Sequence, residues 1–302
     1  MYSKIIVGHD LHDGGRDALA HGRLIAEATG AKLVVAGVFP IAAQPFAFPP
    51  EWREEEERMA SEIQRAADAV GAEAEAFPSS SPARGLHDLA EEIDADLVVV
   101  GSSRHSKLGE ILAGNVGLGL LHGAPCAVAL APRDYREQAD GSLRTIVVGF
   151  DGSHESGLAL VDAIDLAKAS DAQLKLVAVA EPPPVVYGKG GGAGQGYQEL
   201  KDAIEEQKRE QLDEAMETIP DDVKTEATLV SGDPAEKLAE AASSAGTVLI
   251  LGSRAYGPMR RVLLGSVSTA LLRSAPCPVL VHPRGTKVEL ATAHSVETES
   301  AQ

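Results

Sequence analysis

The sequence predicts an α/β protein built as two tandem units, each an open parallel five-stranded sheet with helices on both faces. Three observations carry this. First, the chain repeats itself: Gly101, Gly114 and Cys126 recur 151 residues later as Gly252, Gly265 and Cys277, and KIIVGHD ending at Asp10 recurs 141 residues later as TIVVGFD ending at Asp151. Second, continuous apolar runs at Ile5 to Val7, Leu33 to Val38, Leu97 to Val100 and Ala127 to Leu130 read as strands buried on both faces, as in parallel sheets. Third, the segments between them have helical periodicity and the length of right-handed crossovers.

In chain order, GRDALAHGRLIAEATGA after the first strand puts Leu19, Leu24 and Ile25 on one stripe and stops near Gly30. EWREEEERMASEIQRAADAVGA then forms a helix ending near Gly71, and PARGLHDLAEEIDA fills the next crossover. The second copy repeats the series with SGLALVDAIDLAKASDA, YQELKDAIEEQKREQLDEAMETI and DPAEKLAEAASSAG. It carries about ten extra residues where GKGGGAGQG (188 to 196) sits. The units span 1–132 and 144–283, joined by a polar linker over 133–143. The tail 284–302, rich in Thr, Glu, Ser and Ala without sustained periodicity, is expected to be disordered.

Composition fits two domains with cores of Val, Leu, Ile and Ala: the chain has 302 residues, 44% hydrophobic and only 4% aromatic. Net charge is -18, which argues against a sequence-independent grip on nucleic acid or an anionic membrane. The opening lacks a basic region followed by a long apolar run, and no stretch reaches the roughly 18 apolar residues of a span, so a cytoplasmic location is expected. The two cysteines, each in an Ala-Pro-Cys leading into an apolar strand, read as core residues and not as a disulfide or metal site. The histidines show no metal-ligand spacing, and no G-x-S-x-G elbow is present. GKGGGAGQG with Lys189 lacks the order of a phosphate loop and reads as a flexible loop. No catalytic constellation emerges.

In such a sheet, ligands gather at the carboxyl ends of the strands, where the strand order reverses. The first strand ends in Asp10 or Asp151. The fourth ends in Gly101 or Gly252, opening a polar loop that reaches a helix start at Gly114-Asn115 or Gly265-Ser266. A helix start offers unpaired N–H groups, and glycine there lets an anion approach the backbone. Ser266 is placed to cap the helix or to donate to a phosphate. The acid across the crevice is placed either to accept from a ribose or adenine amine, or to cap a helix. Together these suggest a nucleotide site.

Gly252, Gly265 and Ser266, with GSVSTALLRSAPCPVLVH, resemble the universal stress protein family in its tandem form, over both repeats and so nearly the whole chain. That resemblance implies the adenine nucleotide alpha hydrolase-like, Rossmann-like fold. The ATP-binding branch of the family carries G-x-x-G, nine residues, then G-[S/T]. The second copy departs from it only at Ala255; the first has Arg104 at the second glycine and Asn115 at the Ser/Thr position. The motif therefore favours the second repeat, with Asp151, Val179, Gly252, Arg254, Ala255, Gly265 and Ser266 as nucleotide-binding candidates. The first-repeat set is Asp10, Val38, Gly101, Arg104, Gly114 and Asn115. By resemblance, the aspartates contact adenosine and the valines pack the adenine. Arg104 has three readings: pairing with phosphate, pointing outward, or filling the space a nucleotide would use.

Three functions follow. The first is an ATP-binding stress protein in which nucleotide, with Mg as counterion, is a regulatory ligand and hydrolysis at most feeble. The second is an interaction module whose sites have degenerated. The third, an enzyme on a related fold, lacks the S-G-G-x-D-S loop or the clustered acids it would need. The resemblance also implies that the two last strands, CAVALAP and CPVLVHP, pair within one chain as an internal pseudo-dimer, leaving open a further homodimer.

Overall fold

The computed structural model describes residues 1–40, 50–102, 114–138, 141–183, 195–253 and 265–282. The first repeat runs β1 (Lys4–Gly8), α1 (Asp13–Thr29), β2 (Lys32–Pro40), α2 (Pro50–Asp68), β3 (Glu73–Ser79), α3 (Pro82–Glu92), β4 (Leu97–Gly101), α4 (Asn115–Leu121) and β5 (Ala127–Ala131). After a short helix, α5 (Tyr135–Gln138), the second runs β6 (Thr145–Phe150), α6 (His154–Ser170), β7 (Gln173–Ala180), α7 (Gln195–Glu217), β8 (Thr225–Ser231), α8 (Pro234–Ala241), β9 (Thr247–Gly252), α9 (Ser266–Ser274) and β10 (Val279–His282). All ten strands form one sheet in the order β3-β2-β1-β4-β5-β10-β9-β6-β7-β8.

Within each repeat the pairing is parallel; the halves meet through an antiparallel β5–β10 pair in which Leu130, Ala129 and Val128 face Val279, Leu280 and Val281. The last strands therefore join inside one chain. The edges left over, β3 and β8, carry Glu73, Glu75 and Glu226, and charged edges resist pairing with further chains. The central strands bury both faces. Ile5 and Val7 point into the cluster that includes Leu24 and Ile25 of α1 and Leu160 and Leu166 of α6, while Ile6 points into the opposite one, with Leu86 of α3 and Leu271 of α9. This two-sided burial is why the strands read as unbroken apolar runs.

Helix ends follow local chemistry. α1 stops at Gly30, left-handed at φ 71°, and α6 stops at the matching Asp171, φ 52°. Ser81 caps α3 by accepting from the Arg84 N–H, and Asp233 caps α8 by accepting from the Glu236 N–H at 2.9 Å, each followed by proline.

The repeats are also clamped by polar contacts. The Tyr2 hydroxyl donates to Asp162 on α6, whose carboxylate also lies 2.7 Å from Nε2 of His282, and the chain amino group meets Asp165 at 2.8 Å. The segment read as a polar linker is more structured than that reading implies. Its helix α5 docks on α1, where buried Asp17 accepts from the backbone N–H groups of Asp134 (2.8 Å) and Arg136 (3.1 Å). The tail from 283 onward and most of GKGGGAGQG lie outside the described residues. No helix among the described residues is long and apolar enough to cross a membrane.

Candidate nucleotide clefts at the strand carboxyl ends

In each repeat the strand order reverses between the first and fourth strands, β1/β4 and β6/β9. At the first of these points lies a cleft of about 280 Å³. Gly8, Leu86 and Val100 make its floor, Asp10, Gly14 and Gly15 one wall, and Gly101, Ser102 and the first turn of α4 the other; Val38 closes the side. Several of these residues are small because the backbone segments nearly touch. A Cβ on Gly101 would stand 2.0 Å from the Gly14 carbonyl oxygen, and one on Gly15 would stand 2.8 Å from the Asp10 amide nitrogen.

The acid wall is built by its own turn. Asp10 Oδ1 accepts from the N–H groups of His12 (3.0 Å) and Gly15 (3.1 Å), which fixes the start of α1 against β1. Beside it His9 is buried, its N–H donating to the Ala36 carbonyl at 2.8 Å. Burial lowers the His9 pKa; Asp10 opposes that shift while Arg16 and His12 add to it. Ser102 is buried too, its hydroxyl donating to the Ala131 carbonyl at 2.7 Å.

The second repeat keeps the frame and changes the lining. Gly252 is pressed against Glu155, with a Cβ there 2.4 Å from the Glu155 carbonyl. Glu155 and Ser156 thus stand where the first repeat has Gly14 and Gly15. Asp151 accepts from both the N–H and the hydroxyl of Ser153, the residue that caps α6, and its carbonyl accepts from Lys208 Nζ of α7 at 2.7 Å. Val179 is half-buried on β7 against the α8 and α9 side of the core.

Among the candidates, Asp10, Val38, Gly101, Gly114 and Asn115 converge on the first cleft. Asp151, Val179, Gly252, Gly265 and Ser266 hold the matching places at the ends of β6, β7 and β9 and the start of α9. Arg104, Arg254 and Ala255 lie outside the described residues. One of the two readings of Ser266 is corrected: it does not cap its helix, and neither does Asn115 at the matching place. Gly265 and Gly114 occupy the N-cap, extended and without a side-chain bond, and the polar residue is the first of the helix. Gly14, Gly15 and His9 were missed by motif reading. The signal for them is the 141-residue offset, which sets GG against Glu155-Ser156 and His9 against Phe150.

Both cysteines are free and buried, and burial pushes each thiol up to about 12, so they are packing residues. Among the described residues the one grouping of metal-ligand type is His87, Asp88 and Glu91 on α3, where Asp88 is already paired with Arg84 at 2.9 Å.

Fold and cleft together define a tandem α/β protein of the open, doubly wound kind, with a crevice at the switch point of the first repeat. The chain belongs to the universal stress protein family, whose sequence model matches residues 1–132 and 142–283. A universal stress protein of Mycobacterium tuberculosis is 32% identical over 237 residues, covering 76% of this chain and 78% of that relative. Among solved structures, a universal stress protein from Archaeoglobus fulgidus has a TM-score of 0.66 at 22% identity, covering 93% of this chain and 98% of its own. A putative universal stress protein from Pseudomonas aeruginosa reaches 0.63 at 17% identity, over 93% and 94%. At these identities the two structures speak to the fold alone.

Proposed function

We propose that the chain is a stress-response protein that binds ATP, with Mg as counterion, as a regulatory ligand in the first-repeat cleft, and that hydrolysis is at most feeble. The observation that carries this reading is the cleft at the β1/β4 switch point, whose walls are backbone at Gly14, Gly15 and Gly101. Where Gly101 meets Gly14 no Cβ fits between them, so the two wall segments approach closely and much of the cleft is lined by backbone. Asp10 is placed at the rim to accept from ribose or adenine donors, and Val38 offers an apolar side to the base.

Motif and geometry weigh the two repeats differently. The sequence motif favours the second; the lining favours the first, because an acid, Glu155, occupies there the position that Gly14 holds in the first repeat. In a chain of net charge -18 an added acid at a phosphate site is costly, and Mg would be needed to offset repulsion at either site.

Calorimetric titration of Mg-ATP into the full chain, with AMP and cyclic AMP as comparison ligands, tests the reading. One site per chain is expected. Gly14→Glu, which copies the second repeat, should weaken it by about tenfold or more, the scale of one unfavourable charge contact in a cleft. Gly265 to a bulky residue should leave it nearly unchanged. Absence of saturable heat would return the chain to the class of ligand-free interaction modules, and loss of binding in the Gly265 variant alone would move the ligand to the second repeat.

A further inference from the structure

The turns after β1 and β6 have the same backbone and different chemistry. Residues 11 and 152 are both left-handed, at φ 63° and 81°, yet the first is Leu11 and the second Gly152. Glycine takes this conformation freely, and leucine only under strain that its surroundings must hold. In the first repeat a holder is present: the Leu11 N–H donates to Nδ1 of His9 at 3.1 Å. The ring is fixed in turn, since His9 is buried and Gly15 lies over it, where even a Cβ would come within 3.0 Å of His9 Cγ. The second repeat has Phe150 at this position, which cannot accept a hydrogen bond, and its glycine needs none.

We propose that His9 is a positioning residue for the first-repeat cleft: its unprotonated Nδ1 pins the strained Leu11 turn, and protonation of the ring releases that turn and weakens ligand binding there. This rests on the reading of the cleft as a ligand site. The pinned turn carries Asp10, whose carboxylate forms the cleft wall and ties down His12 and Gly15. Once Nδ1 bears a proton it is a donor facing the Leu11 donor, and the bond is lost. The charged groups that act on the ring are Asp10 and His12 in its own turn and Arg16 on α1, and Glu62 and Arg65 on α2 line the groove that His9 also lines. Asp10 favours the protonated ring, while burial, Arg16 and His12 disfavour it, so release begins on the acid side of the usual histidine range. With Phe150 and Gly152, the second repeat has no such response.

The test has a ligand-free arm and a binding arm, both on the full chain. By NMR, the Leu11 amide shift of the ligand-free protein should titrate together with the His9 ring, below the usual pKa of about 6.5. His9→Asn offers an acceptor that does not titrate and should leave the Leu11 amide bonded and flat with pH; His9→Phe should leave it unbonded throughout. In the binding arm, Mg-ATP affinity of the wild type should fall by about tenfold on acidification, the scale of one lost hydrogen bond, while His9→Asn changes less than about twofold. His9→Phe should bind weakly at all pH, and His9→Phe with Leu11→Gly should recover most of the loss. A Leu11 amide that stays flat while His9 titrates, or a His9→Asn chain as pH-dependent as the wild type, overturns the proposal. Absence of nucleotide binding with the Leu11 titration intact overturns the reading of the cleft and supports the pinned turn.

Discussion

Gly101 and Gly252 close their strands against the first turn of the neighbouring helix, at distances that exclude any side chain. Their small size is thus a packing requirement before it is a binding one, and the two roles separate by experiment. Gly101→Ala would force the Gly14 backbone away and should cost about 1–3 kcal/mol, read as a lower urea midpoint with unchanged slope. Gly157, in α6 with open space around it, is the control: Gly157→Ala should gain up to about 1 kcal/mol from helix propensity. Equal effects at the two positions would mean that the contact between β4 and α1 is slack. At the same scale, Asp10 and Asp151 are legible in the sequence as the acids that end a first strand. Their local partners, backbone in one turn and Ser153 in the other, depend on φ at residues 11 and 152, which the residue types alone do not disclose.

Among the elements, α5 is the one that polarity hides. Its four residues sit in a stretch with no apolar period, yet Tyr135 is buried and Asp17, from a helix more than a hundred residues earlier, receives the backbone N–H of Arg136 and that of Asp134 just before the helix. A buried carboxylate needs such donors, so the connection is held by hydrogen bonding more than by hydrophobic pattern. The repeats are expected to stay together without chain continuity, because β5–β10 pairing and the Tyr2 to Asp162 contact lie elsewhere. Proteolytic cleavage at a site inserted between residues 138 and 141 should leave both halves in one peak on a sizing column. Separate elution of the halves would show that the linker is what holds them together. The helices and central strands, by contrast, are visible from periodicity, since α1 presents Leu24 and Ile25 to one face of β1 while Ile6 fills the other.

For the whole molecule, a buried histidine where α1 meets the connection between the repeats adds to the response to acid. His21 on α1 is fully buried, edge-on to the Tyr135 ring, with Nε2 unpartnered among the described residues, and burial lowers its pKa to about 3. The unfolded chain binds this proton near pH 6.5 and the folded chain only near 3, so the stability from a neutral His21 is complete above pH 6.5. It is lost as pH falls toward 3, at about 1.4 kcal/mol per pH unit for this one group. Urea denaturation from pH 7 to pH 4 should therefore show a falling midpoint, and His21→Leu should flatten the slope. An unchanged slope in that variant would place the acid sensitivity in other groups.

Duplication, the central strands, the main helices and the end of the sheet where the first cleft lies were legible in the sequence alone, because repeat spacing and hydrophobic period are local properties that survive in one dimension. The joining of β5 to β10 was an expectation from family resemblance, and only the folded chain supplied its antiparallel sense and its register. The close approach of Gly14 to Gly101 at the first cleft, the pin of Leu11 by His9, and the anchoring of α5 by Asp17 were decided by tertiary structure. Each depends on backbone segments meeting within a few ångströms across large sequence separations, or on the sign of one φ angle, and neither quantity is written in the order of residue types.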